Sequence, residues 1–371
     1  MYFDLRPKER KEDLYDRERE LSLLVKSIQN CEPLVLILGL RRTGKTSLLK
    51  VGLNVVDTPK LIVDCRIFER EPTIPRGEFI GILEREVNRA IRSGLKELIE
   101  FLKTLEGVSV LGNSVKFSRG KSEKVLVADL LSALNDYAEE QDTCFVFALD
   151  EVQELSKLRG LDLTKVFAYC YDNLRNLILV LTGSKIGLVF RFLKLDDPKS
   201  PLYGRAAQQI LLNNFNEHQS LEFLREGFRQ AGIDPPQSVL EEAVDRLDGV
   251  VGWLTYFGAL SIREGVSRRT LEKVVEIGSK LVRQELENFL STRSESTRKR
   301  YLLILERIAE YPASWSEIKR HLEAKGEYYI SDSNLSLLLR QLIDAGFLTK
   351  TNGEYSITDP LLTYAIRKGS N

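Results

Sequence analysis

One short stretch carries residue types that could bind a nucleotide. Residues 39–46, Gly-Leu-Arg-Arg-Thr-Gly-Lys-Thr, match the pattern GxxxxGK[ST] without a mismatch. A Gly-rich loop of this kind turns its backbone N–H groups towards phosphate oxygens, and the positive end of the following helix adds to the attraction. In such a loop Lys45 reaches the β- and γ-phosphates, and the Thr46 hydroxyl ligates Mg²⁺. The pattern therefore predicts binding of ATP or ADP with Mg²⁺. The candidate ligands are Gly39, Arg41, Arg42, Thr43, Gly44, Lys45, Thr46 and Ser47.

A second motif supplies the carboxylates that ATP hydrolysis requires. In "FVFALDEVQEL", residues 145–155, five mostly apolar residues are followed by Asp150 and Glu151. Ligands of α/β proteins bind at the carboxyl ends of such buried strands. We expect Asp150 to hold Mg²⁺ together with Thr46, and Glu151 to polarise the attacking water. The two motifs together predict an ATPase whose hydrolysis is slow or stimulated by a partner.

Two later segments offer further candidates. "LTGS", residues 181–184, places Thr182 and Ser184 at the end of another apolar strand, and the sequence does not decide which hydroxyl points into the site. "SPLYGR" ends in Arg205, a candidate to neutralise the charge that develops on the γ-phosphoryl group. Arg41 and Arg42 are alternatives for that role. If Arg205 acts on a neighbouring copy, the protein must assemble; otherwise a monomer suffices.

The elements that would position these residues alternate in type. Short apolar runs at 34–38 and 60–66, and further runs within 143–155, 176–184 and 208–215, predict buried strands. Helical periodicities between the strands predict a parallel α/β core. From residue 216 to about 290 the pattern is almost wholly helical. Three further helices and a hairpin around Asn352-Gly353 then form a winged helix-turn-helix pattern. We predict three domains: residues 1–215, 216–292 and 293–371.

Composition excludes several classes. The chain has 54 basic and 54 acidic residues, so its net charge attracts neither nucleic acid nor a membrane. The segment that begins the sequence lacks the apolar region of a signal peptide, and the apolar runs are too short for a membrane span. This predicts a cytoplasmic protein without membrane contact. No cysteines form a CxxC pair, so we expect small core residues, with a metal or disulfide role as the alternative. The four cysteines are Cys31, Cys65, Cys144 and Cys170.

The motifs also carry a family resemblance. In their order, "GLRRTGKTSLL", "FALDEVQEL", "LTGS" and "SPLYGR" resemble the archaeal ATPase family of the STAND branch of AAA+ P-loop proteins. "LYDRERELSLL" is similar to the family segment F-x-G-R-E-x-E-L, with Arg17 and Glu18 on its Arg-Glu pair and Asp16 in place of its Gly. "DGVVGWL" resembles the lid motif G-x-P-x-x-L, with Val251 near the usual Pro. The resemblance implies that Arg17 helps to bind the nucleotide. It also implies an AAA+ core, a helical lid and a C-terminal winged helix.

The output of the winged helix stays open at this point. Its third helix would enter the major groove of duplex DNA. Residues 296–371, however, contain eleven basic and nine acidic side chains, a weak positive excess for a DNA-binding domain. One hypothesis is a DNA-associated ATPase, and the other is a STAND-type signalling switch whose winged helix docks a protein partner. A small-molecule kinase is disfavoured by the Asp-Glu pair and the long helical tail.

Overall fold

A parallel sheet lies at the centre of the first half of the computed structural model, which describes residues 1–118, 127–195, 197–326 and 329–369. The strands, in chain order, are β1 Leu34–Gly39, β2 Lys60–Asp64, β3 Ile74–Pro75, β4 Val108–Leu111, β5 Ser114–Phe117, β6 Phe145–Asp150, β7 Leu158–Arg159, β8 Leu177–Gly183, β9 Gln208–Leu212, β10 Ala313–Ser314, β11 Leu348–Thr351 and β12 Glu354–Ile357. The central sheet has the order β2-β6-β8-β1-β9, and every neighbouring pair in it is parallel. This confirms the predicted α/β core.

Helices cover the sheet and make up most of the second half of the chain. They are α1 Glu18–Gln29, α2 Lys45–Val55, α3 Arg76–Arg92, α4 Leu98–Leu102, α5 Val127–Glu140, α6 Leu163–Asn173, α7 Ile186–Leu193, α8 Glu217–Gln230, α9 Gln237–Leu247, α10 Val251–Glu264, α11 Arg268–Leu290, α12 Glu295–Glu310, α13 Trp315–Gly326, α14 Asp332–Asp344 and α15 Pro360–Gly369. The sequence of residues 125–140 also predicts a helix, and α5 confirms it over the described residues. Residues 125 and 126 lie outside the described ranges.

Both faces of the central sheet are covered by apolar side chains. Alternate residues of a strand point to opposite faces. Val35 and Ile37 of β1 therefore share a core with Leu24 of α1, while Leu36 faces the opposite core with Phe147. This burial on both sides explains why the strands are continuous apolar runs rather than alternating ones.

The helices after residue 216 and the winged helix share one hydrophobic core. Phe257 of α10, Leu271 of α11, Tyr301 of α12 and Leu361 of α15 belong to the same cluster of buried side chains. The polar stretch 291–300 does not separate two bodies, since α12 begins at Glu295 within it. The two predicted C-terminal regions are thus packed as one apolar unit.

The winged helix-turn-helix pattern is confirmed. Strands β11 and β12 form the wing, and both residues of its turn, Asn352 and Gly353, have the positive φ angles of a type I′ turn (53° and 89°). Three helices were not anticipated from the sequence: α6, α7 and α15. Helix α15 follows the wing and buries Leu361, Leu362 and Ala365 against α11 and α12.

The prediction for the cysteines is wrong for two of the four. Cys31 at the end of α1 and Cys144 before β6 form a disulfide across 113 residues of sequence, with Cα atoms 6.0 Å apart. The sequence gives no sign of this pairing, because the two cysteines come together only when α1 packs on the sheet. Cys65 and Cys170 are free and buried, as expected. In the described part of the chain, none of the helices combines the length and apolarity needed to cross a bilayer.

Candidate functional site

The phosphate loop joins β1 to α2 at the carboxyl edge of the sheet. Gly44 ends the loop with φ = 95°, a backbone conformation that residues other than glycine adopt only at an energetic cost. Lys45 opens α2, is 5% exposed, and donates from Nζ to the Leu40 carbonyl at 2.7 Å. Burial lowers the pKa of Lys45, an effect that the neighbouring carboxylates Glu151 and Asp150 oppose. The ammonium group thus lies inside the loop, whose residues Arg41 to Thr46 line the cavity.

Strand order brings the predicted carboxylates to this loop. β8 lies between β1 and β6, so the residues that end these strands meet at one edge. Thr46 Oγ1 donates to Asp150 Oδ2 at 2.9 Å, and Thr182 Oγ1 donates to Asp150 Oδ1. Mg²⁺ prefers such hard oxygen ligands and keeps several waters around one or two protein groups. Thr46 and Asp150 therefore fit a magnesium site beside the phosphate loop.

Glu151 is held by three donors. The Ser184 backbone N–H (3.0 Å), the Ser184 hydroxyl (2.5 Å) and the Gln153 amide (2.6 Å) all donate to Glu151 Oε2. Lys45 Nζ lies 3.8 Å from Glu151 Oε1. Burial by itself raises the pKa of Glu151, but Lys45 and these hydrogen bonds outweigh it, so the pKa lies below its ordinary value. The carboxylate is ionised at neutral pH and can accept a proton from water.

The two hydroxyls that the sequence left open have separate partners. Thr182 is fully buried, and besides donating to Asp150 it accepts the Glu151 N–H at 3.0 Å. Ser184 lines the cavity and donates to the Glu151 carboxylate. Thr182 therefore positions the backbone of the acidic pair, and Ser184 orients the side chain that faces the substrate.

A cavity of about 400 Å³ extends from the phosphate loop. Ligand sites of this kind measure roughly 300–1,000 Å³. One end is lined by the loop, Glu151 and Ser184, and the other by Tyr15, Phe215 and Phe223. The three rings contact one another, with centroid distances of 5.5–5.7 Å. The cavity thus has a charged end for phosphates and an aromatic end suited to a base.

Arg17 belongs to the wall of the aromatic end. Its guanidinium is buried, donates to the Asn213 carbonyl at 2.6 Å, and lies 4.7 Å from the centroid of the Phe215 ring. Asp16 before it has φ = 49°, so it keeps the left-handed backbone for which the family pattern uses Gly. Gln219 of α8 donates to the Asp16 carboxylate. Arg17 lines the nucleotide cavity and ties β9 to the segment before α1.

Arg41 and Arg42 line the cavity but pair with carboxylates. Arg41 contacts Glu69 at 2.6 Å and Glu285 of α11 at 3.0 Å. Arg42 contacts the same Glu285 at 2.6 Å and Asp359 at 3.4 Å. Its guanidinium also lies 4.3 Å from the centroid of the Trp253 ring. Both loop arginines therefore reach across to helices of the second half of the chain.

The structure does not bring Arg205 to the site of its own chain. Its guanidinium pairs with Asp172 at the end of α6, donates to the Pro201 carbonyl and lies near the Tyr171 ring. Asp172 lies in the last turn of α6, a few residues before β8 begins, whereas Ser184 directly follows that strand. The strand has seven residues, and each adds about 3.3 Å, so Arg205 and the phosphate loop lie at opposite edges of the sheet.

Several site residues were missed from the sequence. Arg66, just after β2, pairs with Asp64 at 2.6 Å and lies 3.5 Å from Asp150. Gln153, which donates to Glu151, was also missed. Glu285, Tyr2 and residues 4–8, which line the cavity, were missed as well. A signal existed for Arg66, since a charged residue at the end of a second parallel strand must reach the same edge. No pattern marked Glu285 or residues 2–8.

The geometry of this site agrees with comparisons to known proteins. A family model described as an ATPase domain predominantly from Archaea matches residues 14–257. The chain belongs to this family. A second model, the C-terminal winged helix-turn-helix domain of MCM proteins, matches residues 295–358 of this archaeal-type ATPase. A search of curated proteins found no match.

Solved structures extend the family assignment to the whole chain. The ATPase is 37% identical to the Walker-type ATPase PABY2304 of Pyrococcus abyssi, with a TM-score of 0.83 over 99% of this chain and 100% of that one. It shares its fold with the ORC2 protein of Aeropyrum pernix (14% identity, TM-score 0.62, 99% and 98% coverage). Cdc6p of Pyrobaculum aerophilum is also similar (16%, 0.50, 98% and 96%). ATPase activity and an AAA+ type fold are the functional and structural conclusions.

Proposed function

We propose that this ATPase is a nucleotide-controlled switch that positions a winged helix on duplex DNA. Arg42 is the residue that carries the proposal. It belongs to the phosphate loop, yet its guanidinium covers Trp253 of α10 and pairs with Glu285 of α11 and Asp359 at the start of α15. One side chain thereby joins the loop beside the phosphates to the helical region and to the winged helix.

The hydrolysis step is assigned to the carboxyl edge of the sheet. Thr46 and Asp150 would hold Mg²⁺, which neutralises phosphate charge when it is bound. Lys45 pairs with the phosphate oxygens, and Glu151 orients and polarises the attacking water. Ser184 keeps the Glu151 side chain turned towards the cavity. Each residue acts from a position that the fold has already set.

Hydrolysis would be coupled to movement through competition for the loop arginines. A γ-phosphate beside the loop attracts Arg41 and Arg42, which in this structure pair with Glu285. A ligand shifts a conformational equilibrium only if its contacts differ between the two states, and this competition supplies the difference. Because the helical region and the winged helix share one core, they would move together.

The winged helix offers a free polar face for DNA. Ser333, Asn334, Ser336 and Arg340 of α14 are exposed, and so is the wing at residues 349–354. In winged helices of this pattern, the corresponding helix enters the major groove and the wing contacts the backbone. The far end of α14 is docked on the core, where Asp344 pairs with Arg191 of α7. Release of that contact would leave the exposed face of α14 accessible as far as its last turn.

A second candidate is a STAND-type signalling switch with a protein partner. Leu337 is 51% exposed in the middle of the same α14 face, and an apolar side chain there suits a protein surface. The small positive excess of the domain also favours this reading. We retain it as the alternative that the DNA experiment tests.

Binding of labelled duplex DNA to the full chain separates the two functions. Anisotropy is measured with ATP–Mg²⁺ and with ADP–Mg²⁺ at about 50 and 200 mM salt, where phosphate contacts lose affinity steeply. We expect a nucleotide-dependent affinity that weakens in Arg340→Ala but not in Arg263→Ala, an exposed arginine of α10. Absence of binding in both nucleotide states contradicts the DNA proposal and supports the protein partner.

The switch itself has a separate test. Small-angle scattering and limited proteolysis of the full chain are compared between ATP–Mg²⁺ and ADP–Mg²⁺. We expect different profiles and different cleavage between residues 216 and 300. Identical profiles and identical cleavage sites in the two states contradict the switch, whatever the outcome with DNA.

A further inference from the structure

Residues 2–13 cross the nucleotide cavity, upstream of the residues that the family model matches. We call this segment the strap. Tyr2 and residues 4–8 line the cavity together with the phosphate loop and the aromatic end. The sequence gives no motif here, so the role of the strap rests on its contacts.

The strap is anchored at one end in the helical region. Phe3 is 5% exposed and meets the rings of Phe223 and Phe228, with centroid distances of 5.6 and 5.0 Å. A Cβ atom on Gly227 of α8 would come within 2.2 Å of the Phe3 ring, and one on Gly258 of α10 within 2.4 Å. Because the two glycines have no side chains, they leave a socket between α8 and α10, and the Phe3 ring fills it.

The other end of the strap is anchored on α2, the helix of the phosphate loop. The Lys8 N–H donates to Ser47 Oγ at 3.0 Å. Glu9 pairs with Lys50 at 2.8 Å, and its carbonyl accepts from the Asn54 amide at 3.1 Å. The strap consequently connects the helical region to α2, the helix that begins at the phosphate loop.

A single ammonium group closes the strap into a compact loop. Lys8 Nζ donates to the carbonyls of Met1, Tyr2 and Asp4 at 3.0, 2.7 and 2.7 Å. Charge-assisted hydrogen bonds of this kind are stronger than neutral ones. The shape of the strap is therefore fixed by contacts within the strap itself.

We propose that the strap is the wall of the nucleotide site over the base and ribose, and that Phe3 in its glycine socket locks that wall. The phosphates are held by the loop at the opposite end of the cavity. At the strap end, the Tyr2 ring contacts Tyr15 edge-on at 5.4 Å and stacks on Phe223 at 5.8 Å. A bound nucleotide leaves this end only after Phe3 has left its socket.

Release of a fluorescent ADP analogue from the full chain tests the lock. Phe3→Ala is measured by stopped flow in excess unlabelled ADP. We expect at least tenfold faster release, because most affinity changes act through the dissociation rate. The matched control is Phe289→Ala, which removes a ring from the contacts with Tyr301 and Phe347 in the same apolar unit. A release rate of Phe3→Ala within twofold of the wild type overturns the proposal.

A second variant and a second ligand guard against a general loss of folding. Gly258→Ala places a methyl group in the socket and displaces Phe3 while the strap sequence stays intact, so release should again accelerate at least tenfold. Mg²⁺–tripolyphosphate, which lacks base and ribose, is titrated as a competitor of the ADP analogue. We expect its affinity to change less than twofold in both variants. Equal weakening of ADP and tripolyphosphate overturns the proposal, because it places the defect in the fold rather than over the base.

Discussion

The two ends of the nucleotide cavity are built in different ways. At the phosphate end, the loop after β1, the acidic pair after β6 and the hydroxyls after β8 meet because parallel strands end at one edge. At the base end, the wall combines the strap and Tyr15, which precede the sheet in the sequence, with Phe215 and Phe223, which follow it.

This difference assigns different tasks to the two ends. The phosphate end rests on a rigid sheet that is buried on both faces, so it sets the chemistry. The base end rests on helices that share a core with the winged helix, so a shift of these helices would also shift the winged helix. The following predictions test that division, beginning with the largest effect.

Lys45→Ala should abolish the function of the phosphate end. Removing a buried ammonium group that pairs with phosphate costs its charge-assisted hydrogen bonds, and we expect nucleotide affinity to fall about 100-fold or more. Calorimetric titration of ATP–Mg²⁺ gives the affinity. Lys26→Ala, an exposed lysine of α1, is the control and should bind normally. Tight binding by Lys45→Ala would mean that the loop is not the phosphate site.

Glu151→Gln should stop hydrolysis while leaving binding intact. The amide keeps the shape of the side chain but cannot accept the proton of the attacking water. Loss of a general base lowers the rate by about 10²–10⁴-fold. Phosphate release under single-turnover conditions measures the step, and ATP affinity should stay within about threefold of the wild type. Undiminished turnover would remove Glu151 from the chemistry.

Lys8→Met should loosen the base end without touching the phosphate end. The variant keeps the length of the side chain and removes the three hydrogen bonds that close the strap. Because Phe3 remains in its socket, we expect release of the ADP analogue to accelerate about three- to fivefold, less than in Phe3→Ala. A larger acceleration than in Phe3→Ala would mean that the hydrogen bonds of Lys8, rather than Phe3 in its socket, hold the strap closed.

Asp359→Asn should weaken the link between the phosphate loop and the winged helix. The substitution removes the charge that Arg42 contacts at 3.4 Å but keeps an oxygen that can accept from Trp253 Nε1. Partly exposed ion pairs contribute about 1 kcal/mol or less. We expect the ADP state to show more of the cleavage typical of the ATP state. Asp332→Asn, which breaks an exposed pair with Lys319 in the same domain, serves as the comparison and should change nothing.

Arg205→Ala should have the smallest effect on an isolated chain. Its guanidinium lies at the edge of the sheet away from the phosphate loop. In dilute protein we expect turnover within twofold of the wild type. A loss that appears only as protein concentration rises would place Arg205 in the site of a neighbouring copy. A large loss in the dilute monomer would contradict the geometry.

Much of the phosphate end could be predicted from the sequence, since its parts are local. The spacing from Gly39 to Thr46 specifies a loop, and a buried strand before Asp150 specifies an edge. The hydrogen-bond partners of Thr182 and Ser184 could not be assigned from the sequence. The strand ends at Gly183, between the two residues, so the alternation of side chains along it does not show which hydroxyl faces the cavity. The position of Arg205 was also beyond the sequence, as its surroundings form a turn with no periodicity.

The base end could be predicted only in part. Arg17 was found through a resemblance, and the structure places it in the cavity wall. The strap was missed because its contacts depend on two glycines more than 220 residues away, and a glycine that provides space leaves no recognisable pattern. The disulfide between Cys31 and Cys144 was missed for the same kind of reason.

The sequence by itself determined the ATPase motifs, the parallel core and the winged helix, because each depends on residues close together in the chain. Only the tertiary structure decided which carboxylates engage Arg42, where Arg205 lies, and that Phe3 closes the cavity. These are contacts between elements that periodicity and turn chemistry do not relate. The physical reason is that local patterns specify an element and its buried face, whereas contacts between side chains of distant elements depend on how whole elements pack.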